Sequence, residues 1–194
     1  MNLLSEKIWI TRKARIYTEQ RLLNRALLTQ AVMIFYSFLL LSVSVWDFVY
    51  PSKGLEIYSI VSAIAVLASS ILLSSQRYSE RAMMIKNCYI RLDELYSKAK
   101  GIEKLGGEEG KGTVESEYTN ILLNVENHSD YDFLSLRYSL RNNKETTLPK
   151  FTRGDYLAYF FAKSYRILAS IIVFVLPFII SYVWTKLIQH VSIK

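Results

Sequence analysis

The chain has 194 residues, 51% hydrophobic and 21% charged, with a mean hydropathy of +0.16 and a formal net charge of +7. Its single cysteine, Cys88, excludes an intramolecular disulfide and a cysteine-based zinc site, and two histidines, His128 and His190, exclude a histidine metal cluster. No nucleophile–base constellation or cofactor pattern is present, so neither an enzyme nor a bound metal or cofactor is expected.

Residues 1–25 read as an amphipathic helix, with Leu4, Ile8, Ala14, Tyr17 and Leu22 interrupted by Lys7, Arg12, Lys13, Arg15, Arg21 and Arg25. Residues 26–46 then carry no charge. At about 1.5 Å per residue, about 20 such residues cross the roughly 30 Å hydrocarbon layer. This first span is expected to act as the insertion signal itself. Pro51-Ser52-Lys53-Gly54 turns the chain, and 57–76 is a second uncharged stretch. The second helix is predicted to run on past the membrane. Tyr78, Ala82, Ile85, Tyr89, Leu92, Tyr96 and Ala99 recur at alternating steps of four and three. That seam suits self-association, or packing inside the chain against the N-terminal helix or the 114–140 segment.

The stretch 101–113 holds five of the chain's seven glycines. Its Lys111-Gly112-Thr113 ending imitates a phosphate loop, but Gly112 follows the lysine, no strand precedes it, and Glu108 and Glu109 would repel phosphate. A connector is the expectation. Helices follow at 114–126, with Tyr118, Ile121, Leu122 and Val125 on one face, and at about 130–141. Asn142, Asn143, Lys144 and Pro149 mark a loop, and Thr152 with Asp155 opens the last helix as a cap. The third uncharged stretch, 167–185, contains Pro177, which kinks a helix.

Lys/Arg bias orients such a chain. The first segment nets +4, while residues 77–166 carry fifteen basic against thirteen acidic residues. The N-terminus and residues 77–166 are therefore expected in the cytoplasm and the link between spans one and two outside. The expectation is an all-α integral membrane bundle with about three transmembrane helices and a helical cytoplasmic body. Its parts are an amphipathic helix (1–25), a two-span hairpin (26–76), a cytoplasmic helical region (77–155), and a third membrane helix with its tail (156–194).

The second span places Ser59, Ser62, Val66 and Ser69 on one broad face. Hydroxyls there suit a water-filled path, with Ser62 and Ser69 nearest a lumen, and small residues suit close helix packing equally. Asp47 and Glu56, at the outer ends of two spans, would form carboxylate rings in a symmetric oligomer, or are solvated loop charges. No ionisable residue lies inside a span, which argues against a proton relay. For an anionic ligand the candidates are Arg12, Arg15, Arg77, Arg81, Arg91 and Arg137, with Tyr89 and Tyr131 able to stack on bases.

Thr11-Arg12-Lys13-Ala14-Arg15-Ile16, leading through Glu19 and Arg21-Leu22 into a span, resembles the start of SLATT domains. The helix from Tyr78 to Tyr96, followed by Tyr118, Leu122 and Glu126-Asn127-His128-Ser129-Asp130-Tyr131, is similar to their helical part. The resemblance implies a bacterial antiviral-defence effector that permeabilises the host membrane on a nucleotide signal. The chain looks like the stand-alone membrane component of Hailong-type systems. It implies a homo-oligomeric ion channel, with a tetramer favoured, controlled by a nucleotide or oligonucleotide from a partner nucleotidyltransferase. The alternative is a membrane-anchored adaptor that conducts nothing. The family is described with two spans, and the stretch at 167–185 departs from that pattern.

Overall fold

A computed structural model describes residues 3–51, 53–105, 110–123, 125–143 and 147–192. These form six helices: α1 (Leu4–Val49), α2 (Lys53–Ser75), α3 (Tyr78–Lys104), α4 (Lys111–Leu123), α5 (Asp130–Ser139) and α6 (Arg153–Ser192). There is no strand among the described residues, so the fold is all-α. Three of the helical stretches are long and apolar enough to cross a membrane. The protein is a helical membrane bundle.

The chain divides into two compact units, one of Met1–Arg25 with Tyr78–Ala162 and one of Ala26–Arg77 with Lys163–Lys194. In the first, α3 buries Ala82, Ile85, Cys88, Leu92, Leu95 and Ala99. They pack in two clusters, with Ile8 of α1 and Val114, Tyr118 and Ile121 of α4 in one, and with Leu22 of α1 in the other. The seam read from the sequence is thus filled from inside the chain. Cys88 and Leu95 take the central places expected for Tyr89 and Tyr96, whose wider rings sit half-buried at the flank. Self-association therefore has no open seam on α3.

The buried stripe of α1 differs from an apolar one. Its deepest residues include Ile8, Arg15, Thr18 and Leu22, with two polar groups in the middle. The Thr18 hydroxyl proton is shared between the Ala14 carbonyl (3.2 Å) and Asp132 (3.1 Å), which ties this polar stretch of α1 to the start of α5.

Element boundaries follow local chemistry. Gly110 adopts φ +96°, a left-handed conformation that glycine takes without a side-chain clash, and α4 starts directly after it. Gly101 lies within α3 and Gly112 within α4, which shortens the expected connector; its residues 106–109 lie outside the described residues. The expected helix at 114–126 begins and ends three residues earlier, at Lys111 and Leu123. Ser129 caps α5 by a reciprocal box with Asp132. The expected cap of α6 is present: Thr152 N–H donates to Asp155 Oδ2 (2.8 Å), and Asp155 N–H donates to Thr152 Oγ1 (3.3 Å). The expected continuous helix through residues 76–78 is interrupted, because Arg77 has φ +46°.

Candidate functional site

The membrane unit holds a half-open cavity of about 660 Å³ between α1, α2 and α6. Pro177 shapes one wall. It lacks the N–H that would bond the carbonyl of Val173, one turn back, and so leaves that oxygen without its helical donor. Tyr36 supplies the replacement, its hydroxyl donating to Val173 O at 2.7 Å. A second tie runs from the other hairpin helix. Ser181 donates to the Pro177 carbonyl (2.8 Å), and the Tyr58 hydroxyl lies 2.8 Å from Ser181 Oγ. Two tyrosines thus tie α1 and α2 to the proline turn of α6, satisfying polar groups that lipid cannot. Phe35 adds edge contacts to Phe174 (5.1 Å between ring centres), and Tyr58 packs on Trp184 (5.7 Å).

Three of the four expected pore residues, Ser62, Val66 and Ser69, line this cavity. Ser59 does not; its hydroxyl donates to the Glu56 carbonyl at 2.9 Å. Ser70, also on the wall, turns inward to Val66 O at 2.7 Å. Most of the wall is apolar, with Leu39, Leu40, Leu72, Leu176 and Phe178 among its residues. Asp47 is half-buried near the end of α1, and Glu56 is exposed in the first turn of α2.

The other unit holds most of the expected ligand residues, and its own acceptors engage many of them. Arg12 pairs with Asp93 at 3.0 Å. Arg15, 2% exposed, donates to the Glu126 carbonyl, and burial lowers its pKa against the opposing fields of Cys88, Tyr118, Glu126 and Asp132. Arg81 grips the Glu126 carboxylate, with Nε at 2.9 Å. Arg137 binds Asp155 through two nitrogens at 3.0 and 2.8 Å and reaches the Lys150 carbonyl at 3.2 Å. Tyr131 stacks parallel on Tyr159 at 6.0 Å. Tyr89 is half-buried and hydrogen-bonded to Glu19. Arg91 is exposed on α3, and exposed Arg77 belongs to the other unit.

Sequence reading missed the centre of this polar network. Asp132, 1% exposed, accepts from Thr18, from Arg21 Nε (2.8 Å) and from the Ser129 N–H (3.0 Å). Burial alone would raise its pKa, but Arg21 and Ser129 outweigh it and hold the carboxyl below the usual value. The Ser129-x-x-Asp132 spacing was the available signal; that Arg21 would reach the same carboxylate was not written locally. Glu126 Oε1, His128 Nδ1 and Arg15 Nε are buried with no hydrogen-bond partner among the described residues. Burial and then Arg15 lower the His128 pKa, with Asp132 and Asp130 opposing.

Fold and site together define an all-helical membrane protein with a cavity among its candidate spans and a second, ion-paired helical unit. Residues 1–183 match the family model described as SMODS and SLOG-associating 2TM effector domain family 5, and the chain belongs to that family of membrane effectors. The family's description names two spans where this chain has three candidate helices. No curated protein and no solved structure matches the chain.

Proposed function

We propose that this chain is a pore-forming ion-channel effector of bacterial antiviral defence. It sits in the inner membrane as a homo-oligomer, a tetramer by preference, with its N-terminus and residues 77–166 cytoplasmic. A nucleotide or oligonucleotide from a partner nucleotidyltransferase controls it. Family membership supports the effector role. The observation that supports the pore reading is the cavity among the three candidate spans, where Ser62, Val66 and Ser69 lie together on the wall. Its largely apolar wall excludes hydrated ions by dewetting, so this form is closed and conduction requires rearrangement.

Planar-bilayer recording of the purified full chain is the test. Discrete conductance steps are expected, with unit conductance lowered by Ser62→Leu or Ser69→Leu. Silence with and without added oligonucleotides or cyclic dinucleotides overturns the channel reading.

A second reading, a membrane-anchored adaptor without conduction, is favoured by one observation: Arg12, Arg15, Arg81 and Arg137 are engaged by acceptors of their own chain. In the channel reading, a polyanion engages exposed Arg91 and competes with Asp93 for Arg12. Binding of synthetic oligonucleotides then weakens steeply with salt and is reduced by Arg91→Ala. Absence of binding at both low and high salt supports the adaptor.

A further inference from the structure

We propose that the cavity between the three spans is a lipid site holding one acyl chain of an anionic phospholipid. The inference is independent of conduction, because an adaptor would bind the lipid equally. The cavity is long. Leu28 and Val43 both line it, and fifteen residues of helix separate them by about 22 Å. A slot of that length lined by apolar side chains suits an extended hydrocarbon chain.

Its chemistry agrees. The hydroxyls of Tyr36, Tyr58, Ser70 and Ser181 are bonded to their own chain, and beside Thr29, Ser62 and Ser69 the rest of the wall is apolar surface. An apolar cavity stays dry and takes apolar molecules, and at hydrocarbon depth the molecule at hand is the bilayer lipid. Charge orients it. At one end, Leu72 and Leu73 of the wall precede Arg77 by about a turn of chain, and Lys163 and Arg166 precede Val173 on α6. At the other end stand Asp47, four residues after Val43, and Glu56, two before Tyr58, together with Lys53 and Lys186, so the charges there cancel. A phosphate headgroup belongs at the basic end. An occupied slot is also a sealed slot.

Native mass spectrometry of the full chain in mild detergent, with phosphatidylglycerol or phosphatidylcholine added back, tests this. One phosphatidylglycerol per chain is expected to survive activation that strips other lipid. Ala65→Trp fills the slot and should lower that occupancy about tenfold, the equivalent of about two methylenes losing their burial. Ser62→Leu serves where the tryptophan prevents folding. Leu41→Trp, on an exposed position off the wall, should leave occupancy unchanged. Arg166→Gln should reduce the preference for phosphatidylglycerol over phosphatidylcholine. Equal retention of the two lipids by the wild-type chain overturns the anionic assignment. Wall substitutions that behave like Leu41→Trp overturn the site, as do wall substitutions that change subunit number and leave the lipid count alone.

Discussion

Asp132 shows how one carboxylate organises the unit of Met1–Arg25 and Tyr78–Ala162. It caps α5 while neutralising Arg21 and satisfying Thr18, both on α1. Asp132→Asn keeps the size but leaves the Arg21 guanidinium, 11% exposed, without its counter-charge. Breaking a buried pair from one side costs about 3–5 kcal/mol. Denaturant unfolding of the full chain in micelles should show that loss, and Arg21→Gln in the same background should recover part of it. Acid acts on the same groups. Asp132 and Asp155 both titrate below the ordinary carboxylate value, Asp155 at about 2, held by Thr152 and Arg137. A depressed carboxyl binds its proton more weakly folded than unfolded. Each contribution is present above about pH 4 and is lost as pH falls through the folded value, about 2 for Asp155. His128 is also depressed, so its neutral form favours folding above about pH 6.5, and that contribution fades as pH falls below. Helicity and unfolding midpoints followed from pH 8 to pH 2 should therefore decline in two stages; a flat profile contradicts both assignments.

At the scale of elements, Pro177 and Tyr36 form a matched pair, one removing a donor and the other restoring it. Tyr36→Phe should cost about 1 kcal/mol, the upper middle of measured hydrogen bonds inside membranes. In a Pro177→Ala background the cost should shrink, because Ala at 177 has an N–H for the Val173 carbonyl. Reversible unfolding in bicelles measures this cycle, and additive effects would contradict the pairing. Such elements differ in how plainly the sequence announces them. The three uncharged stretches stand out because charge is so costly at hydrocarbon depth, and the Thr152–Asp155 cap is a local pattern of three residues. The α3 seam was legible as a buried face, but its partner was not. Periodicity reports that Ile85 and Leu92 are covered without saying whether α1 and α4 or a second chain covers them. For the same reason the basic pool read as available: Arg12 and Arg137 meet Asp93 and Asp155 only after the chain has folded.

For the molecule as a whole, the helix that breaks matters as much as those that do not. Arg77 sits at φ +46°, a conformation that costs a non-glycine residue about 1–2 kcal/mol, whereas α1 and α6 run without interruption across both compact units. An unbroken helix behaves as a drive shaft, since its hydrogen-bond ladder carries axial rotation from one end to the other. A left-handed residue is a universal joint, where the ladder is cut and rotation is no longer handed on. The hydrogen-bonded ladder of α1 continues through residues 25–26, whereas that between α2 and α3 is cut at Arg77. One alanine inserted between Arg25 and Ala26, or between Ala162 and Lys163, rotates everything beyond it by about 100° and should abolish effector activity in a cell-growth assay. The same insertion between Gln76 and Arg77 is absorbed at the joint and should be tolerated.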